Sequence, residues 1–526
     1  MTFSCASKKL LSCCAHVPRL FRISIALVTL LGAVHLRAAD SVVLDRPNVI
    51  LLIADDMSWD DLGCSGSRCA RTPRIDAIAA TGLRFTNAFL TASSCSPSRA
   101  SIMTSRYPHN LGRAAELHEP IPAHIPWLAS LMHQAGYFTA LVGKNHMTSE
   151  KPGSQSQNLK DESRFLKPWN LVLAGNLPDN SGGHGQWVET LRDRPKEKPF
   201  FGWFASFDAH REWEADDEWN EVLYGPQHLP EEIDVPVFLV DDDQTRQDLA
   251  SYHNEVTRFD YFCGQVMDEL TRQNVLENTL VFVLSDNGRP FPRSKTRLHD
   301  SGMKTALVAT WPRGIPGTIH TCESLVSSID LAPTILEAAG VSPPKTFQGL
   351  SMLPLFRDPH AIFRTAAFSE HNWHDYEAHG RSVRSEGYLY IRNSRTQTPW
   401  QGPADSVRSK SHASLRRARA NAELTPAQAD VFRTPRPAEE LYRVADDLDQ
   451  LHSLSGDPSC ADVQQRLSHL LDTWIEQTGD SVPENLSADR FDRETGRSLG
   501  RDKQSLPSTV PGEDRRASHI PDSGPR

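Results

Sequence analysis

The chain has 526 residues, 39% of them hydrophobic and 23% charged, with a formal net charge of −10. That composition is globular, and the length suits one large domain plus a smaller one. The acidic balance gives no broad attraction to nucleic acid, so an anionic ligand needs a local basic pocket.

The first forty residues differ in kind. Lys8, Lys9, Arg19 and Arg22 precede the apolar run from Ile23 to Val34, and Ala38-Ala39 follow. This is the layout of a signal peptide over residues 1–39. Leu36 or Arg37 stands where cleavage prefers a small residue, so an uncleaved N-terminal anchor is the alternative. The run is short for a membrane span, and no other stretch approaches one. The expectation is export to a periplasmic or extracellular space, or to a lysosome in a eukaryote. Six of the nine cysteines lie beyond this leader, too few for a dense disulfide framework. Cys64 and Cys69 are close enough in sequence to bridge. The sequon Asn485-Leu486-Ser487 stands alone, which leans towards a bacterial protein.

Asn48 to Ala54 is a continuous apolar run and reads as a buried strand of a parallel sheet. It ends in Asp55-Asp56. Ligands of open α/β sheets bind beyond the carboxyl ends of strands, and paired carboxylates there suit a hard cation. Capping of the next helix is the other reading. Thr72 to Ala79 is a capped helix with Pro73 in its first turn. Leu83 to Phe89 alternates as a strand and delivers the chain to Ser93-Ser94-Cys95-Ser96-Pro97-Ser98-Arg99-Ala100-Ser101. Pro97 suits the first turn of a helix. Cys95 then faces a positive helix end that favours anions, and Arg99 adds a fixed charge. A small buried Cys at a helix start is the plain alternative.

Ile125 to Ala135 is helical, and Tyr137 to Val142 is a strand leading to Gly143-Lys144-Asn145-His146. On an extended segment Lys144 and His146 point to similar sides. Residues 150–195 are polar and read as loops at a pocket rim. Phe200 to Phe207 is the next buried strand, followed by Asp208-Ala209-His210-Arg211. Asp248 to Gln273 is a long amphipathic core helix. Thr279 to Ser285 is a buried strand ending in Asp286-Asn287-Gly288, with Lys295 beyond Pro290-Phe291-Pro292. An Asp-Asn-Gly is also a common turn, but this one follows a buried strand, as Asp55-Asp56 does.

Thr305 to Trp311 is a further strand and Ser328 to Ala339 a helix. His371 and His374 flank Asn372 and Trp373 in a loop that can meet a sugar ring or pack between domains. Strands around residues 382–384 and 388–392 and a closing helix from Cys460 to Gln477 follow. The tail is polar and rich in Pro and Gly, and reads as disordered. Alternating strands and helices from Asn48 to Gly340 make the main domain α/β, and the carboxy-terminal part α+β. The expected organisation is a leader over 1–39, a catalytic α/β domain over 46–365, a smaller subdomain over 366–485 and a tail over 486–526.

Cys95-x-Pro97-x-Arg99, with the motifs at the other strand ends, resembles the type I, formylglycine-dependent sulfatases, and most closely their sulfamidase (N-sulfoglucosamine sulfohydrolase) branch and its bacterial relatives. The resemblance covers about Asn48 to Gln477. It implies the alkaline-phosphatase-like sulfatase fold, a large mixed or parallel sheet between helices with a smaller α+β subdomain. It implies conversion of Cys95 to formylglycine by a formylglycine-generating enzyme, with the aldehyde hydrate attacking sulfur. Carried over residue by residue, Arg99, Lys144 and His146 hold that hydrate. His210 and Lys295 meet the sulfate and leaving group, with His210 as general acid. Asp55, Asp56, Asp286, Asn287 and residue 95 hold a divalent metal, an oxygen-rich set that suits calcium. His371 and His374 lie outside this set as candidate sugar contacts. The implied substrate is a sulfated saccharide, hydrolysed by an exo-acting enzyme. Sulfamidases carry Arg where this chain has Lys295, which loses bidentate geometry and leaves O-sulfate open beside N-sulfate. Lys304 is an alternative for the role of Lys295. A phosphatase or phosphodiesterase of the same fold, and a non-catalytic carbohydrate binder, are the other readings.

Overall fold

The structure is a computed structural model that describes residues 46–147, 168–500 and 508–526. The expected signal peptide and the first part of the 150–195 segment lie outside the described residues.

The centre is an eight-stranded sheet in the order β5-β4-β6-β1-β7-β8-β2-β9. Its strands are β1 (Asn48–Ala54), β2 (Leu83–Phe85), β4 (Phe138–Gly143), β5 (Leu171–Leu173), β6 (Phe200–Ala205), β7 (Thr279–Ser285), β8 (Leu307–Thr310) and β9 (Thr321–Cys322). From β5 to β7 all neighbours run parallel, while β8 is antiparallel to both β7 and β2. The period-two alternation of β1 feeds both faces. Val49, Leu51 and Ile53 pack with Ile102, Met103 and Leu128, whereas Ile50 and Leu52 pack with Tyr252, Val256 and Phe259 of the long helix Asp243–Arg272. A sheet covered on both sides explains why these strands read as unbroken apolar runs. Helices α2 (Cys95–Thr104) and α3 (Leu128–Gln134) cover the first face, and α1 (Pro73–Thr81) lies with the long helix on the second.

The expected strand from Leu83 to Phe89 is two pieces, because Thr86 and Asn87 turn towards the carbonyls of Cys322 and Glu323. Its second piece is β3 (Ala88–Phe89), which pairs in parallel with β10 (Val326–Ser327). The expected helix from Ile125 starts only at Leu128. Within the 150–195 segment the structure adds β5 at the sheet edge and a helix at Trp187–Asp193. The apolar triplet Leu171-Val172-Leu173 carries the edge pairing with β4.

A second, antiparallel sheet holds β11 (Ala366–His371), β12 (Gly380–Ser385), β13 (Tyr388–Asn393) and β14 (Glu439–Arg443) in that order. Helix Ala461–Thr478 supplies Leu467, Leu471 and Trp474 to its core, which Tyr107 and Ile329 enter from the large sheet's side. The change near residue 365 is therefore a change of sheet within one continuous body. The described residues of the tail, 486–500 and 508–526, are packed rather than disordered. Arg106 donates to the carbonyls of Ser518 and Ile520, Asn110 to that of Ala517, and Val510 and Ala517 are buried. Polar composition hid this, because much of the hold is on backbone carbonyls, alongside only a few buried apolar side chains. Cys64 and Cys69 are free thiols. No described helix is long and apolar enough to cross a membrane.

Candidate active site

The order β4-β6-β1-β7 lines up the carboxyl ends of parallel strands, and each ends in a motif. β1 delivers Asp55 and Asp56, β7 delivers Asp286 and Asn287, β4 delivers Lys144, and β6 leads to His210. Gly143 has φ +100°, and a Cβ there would lie 1.8 Å from the carbonyl oxygen of Ala205, so only glycine lets β4 turn against β6. Cys95 and Arg99 come from the first turns of α2, which fits the expected helix start.

These groups form one buried network. Arg99 Nε donates to Asp286 Oδ2 at 2.6 Å, and its guanidinium lies 3.6 Å from Asp55 Oδ1. Lys144 pairs with Asp55, and Lys295 Nζ lies 2.6 Å from Asp56 Oδ2. Cys95 Sγ sits 3.9 Å from Asp56 Oδ1 and 3.8 Å from Asn287 Nδ2. The structure brings Lys295 to Asp56 and places Lys304 elsewhere, with its ammonium 3.8 Å above the Trp59 ring.

Burial raises carboxyl pKa values and nearby cations lower them. At Asp55 burial is outweighed by Lys144, His210, Arg99 and Lys295, and the carboxyl is held well below its ordinary range. Burial pushes Asp56 up to about 7, against Lys295 and with Asp55. Asp286 rises to about 6, again through burial, against Arg99. The Cys95 thiol is pushed up to about 12 by burial, although Lys144 and Lys295 pull it down. An unmodified Cys95 is thus a protonated thiol at neutral pH and a poor nucleophile.

The oxygen-rich set fits a hard cation. Asp55, Asp56 and Cys95 offer ligand atoms that lie within 4.8 Å of one another. Asp55 Oδ1 and Asn287 Oδ1 are buried without a hydrogen-bond partner, a costly state that a cation would relieve.

The histidines divide. His210 Nε2 lies 3.8 Å from Asp56 Oδ2 and 3.7 Å from Asp405 Oδ2, and its Nδ1 bonds the Arg211 carbonyl. Burial, then Lys295 and Lys144, lowers His210 to about 4, so the ring is neutral before an anion binds. His146 adopts φ 54°, so the segment is not extended as expected; its Nε2 lies 2.6 Å from His118 Nδ1. Burial and then Lys144 hold its pKa well below the ordinary value. His374 bonds Ser94 Oγ at 2.7 Å, directly beside Cys95. His371 meets the Trp400 ring edge-on, and both line a narrow cavity with Thr296, Tyr376 and Gly402. Neither belongs to the carboxylate–lysine cluster. Sequence reasoning missed His118 and Asp405. Each stands in a segment without a strand-end motif, so no local signal marks them.

Comparison with known proteins gives a consistent picture. The sulfatase family model matches residues 47–341, and the model for the N-sulphoglucosamine sulphohydrolase C-terminal region matches residues 293–401. An ulvan-active sulfatase of Formosa agariphila is 27% identical over 84% of this chain and 77% of its own. Human N-sulphoglucosamine sulphohydrolase is 29% identical over 83% of this chain and 91% of its own. A solved structure in complex with its substrate D-glucosamine-2-N,6-O-disulfate superposes with a TM-score of 0.60 at 18% identity, covering 82% of this chain and 98% of that one. The phosphonate monoester hydrolase of Agrobacterium radiobacter superposes with a TM-score of 0.58, also at 18% identity, over 84% of this chain and 98% of that one. The fold is therefore the alkaline-phosphatase-like fold of these proteins.

Proposed function

The chain belongs to the sulfatase family and is a sulfuric ester or sulfamate hydrolase, and on that premise we propose that it is an exported enzyme removing sulfate from a terminal sugar of a sulfated saccharide. The observation that carries this reading is the convergence of Cys95, Arg99, Lys144 and Lys295 on one oxygen-rich cation site at the strand ends. Formylglycine at position 95 would supply the nucleophilic hydrate, and calcium, which Asp55, Asp56, Asp286 and Asn287 would hold, would supply positive charge to offset that of the sulfate.

The chain's own residues do the rest. Lys144, Lys295 and Arg99 are cations fixed before substrate arrives, so charge developing on the sulfuryl group meets them without reorganisation. Arg99 also anchors Asp286 and so sets the ligand geometry. His210 Nε2 is the ring nitrogen left open by the Arg211 carbonyl, and it lies 3.8 Å from Asp56 Oδ2, on the side of the cation site where this reading puts the leaving atom. Bound sulfate opposes the lysines' effect and favours a proton at Nε2, which passes to the leaving atom. His146 is the second proton-handling group, at the β4 end. His371, in the cavity beside Ser94, meets the sugar, while His374 steadies the turn that presents residue 95 and reaches the same cavity.

The N-sulphoglucosamine relative and the matched C-terminal region favour glucosamine N-sulfate, while Lys295 and the ulvan-active relatives favour O-sulfate. Incubating protein from a host that makes the formylglycine-generating enzyme with N-sulfoglucosamine, glucosamine 6-sulfate and a sulfated galactose, and measuring free sulfate, separates these. Release only from O-sulfated sugars removes the sulfamidase assignment. The phosphonate hydrolase shares the fold, so turnover of an aryl phosphate above that of an aryl sulfate would overturn the sulfatase reading.

A further inference from the structure

We propose that Asp405 is a specificity-determining residue that admits substrates carrying a hydrogen-bond donor, N–H or O–H, at or next to the leaving atom. The inference rests on the sulfatase reading of the site.

Asp405 comes from the short helix Ala404–Arg408, far from the strand ends in sequence. Its Oδ1 accepts from the backbone N–H of Ser406 at 2.6 Å. Its Oδ2 has no hydrogen-bond partner among the described residues and faces His210 Nε2 at 3.7 Å. That distance exceeds a hydrogen bond, and the His210 ring is already pinned through Nδ1 by the Arg211 carbonyl. Orienting His210 is therefore not what Asp405 is placed to do. A second metal does not explain it either. Asp56, His210 and Asp405 lie within reach of one ion, but the ammonium of Lys295 already occupies the cation position 2.6 Å from the Asp56 oxygen that faces His210.

What remains is a partly buried carboxylate beside His210, in a cluster whose lysines and arginine otherwise suit an anion. Burial raises its pKa, but the cations Lys295 and Arg211 outweigh that and keep it ionised. Such a group repels sulfate itself and gains only from a donor. The atom next to His210 is the leaving atom, so the donor must be its own N–H, as in a sulfamate, or a neighbouring hydroxyl or amine of the sugar. An aryl sulfate offers neither.

The test compares D405N and D405S with the parent protein; both side chains keep an acceptor for the Ser406 N–H. In converted enzyme, kcat/KM is measured on N-sulfoglucosamine, glucosamine 6-sulfate and 4-nitrophenyl sulfate. The best sugar substrate should lose about 10- to 100-fold relative to the aryl sulfate, the worth of one hydrogen bond to a charged acceptor. In the unconverted thiol protein, calorimetry should show inorganic sulfate binding roughly tenfold more tightly once the charge is removed. A sugar-to-aryl ratio within threefold of the parent value, or unchanged sulfate affinity, overturns the proposal. If the parent enzyme releases sulfate from none of the three, the reading of the site fails instead, and sulfate affinity still decides the role of Asp405.

Discussion

The two sheets treat charge in opposite ways. At the carboxyl ends of the large sheet, Asp55, Asp56, Asp286, Arg99 and Lys295 are buried together with the partly exposed Lys144, and each carboxylate has a cationic neighbour. The small sheet and the helices beside it also bury ion pairs, such as Arg381 with Asp480 and, at 3.7 Å, Glu370, but these stay apart from the strand-end cluster. What this region turns towards the centre is different: His371 and His374 at the cavity wall and Asp405 at 3.7 Å from His210. The lesson is a division of labour. Parallel strands place chemistry because their ends converge on one edge. On the reading proposed above, the later region sets what may approach that edge, and its contacts hold the tail against the large sheet.

The sharpest way to break this division is at the nucleophile. Cys95→Ala should remove turnover by at least about 10⁴-fold with an unchanged melting temperature, and peptide mass spectrometry of active parent protein should show an aldehyde in place of the thiol. Active protein carrying only thiol would end the account of the large sheet's role.

The cation site comes next. Asp286→Asn should cost about 10²- to 10³-fold in kcat, the scale of one lost electrostatic stabiliser, and metal analysis should find the divalent ion reduced or gone. It also leaves Arg99 with a weaker buried partner, so melting should fall in parallel. Zinc bound at full occupancy in the parent would point away from an oxygen-rich calcium site.

Lys295 and Lys304 test whether geometry or sequence order picks the anion-binding lysine. Lys295→Ala should lower kcat/KM by about 10²-fold, with Lys295→Arg recovering part of it. Lys304→Ala should stay within about threefold, as its ammonium stacks on Trp59.

The smallest catalytic effect should come from the holding region. Arg106 spends its guanidinium on the Asn110 and Thr346 carbonyls and on the tail carbonyls of Ser518 and Ile520. Arg106→Ala leaves those buried acceptors unpaired and should cost about 1–3 kcal/mol of stability, read as a lower melting temperature with KM little changed. A large loss of kcat at unchanged stability would show that the tail reaches the chemistry.

The strand-end motifs were legible in the sequence because an apolar run followed by acid or base is a local pattern, and burial on both faces enforces it. β1 with Asp55-Asp56 and β7 with Asp286-Asn287 follow from such runs, and so does the α/β class, whereas α2 with Cys95 and Arg99 is marked by Pro97 at its first turn. Local pattern could not show that Thr86 and Asn87 split a strand, that His146 bends into the left-handed region, or that a Pro- and Gly-rich tail is captured by Arg106 and Asn110. Nor could it bring Asp405 to His210. Those outcomes depend on contacts between distant segments, where a single carboxylate or guanidinium finds its partner only after both sheets have packed, and no spacing along the chain records that meeting.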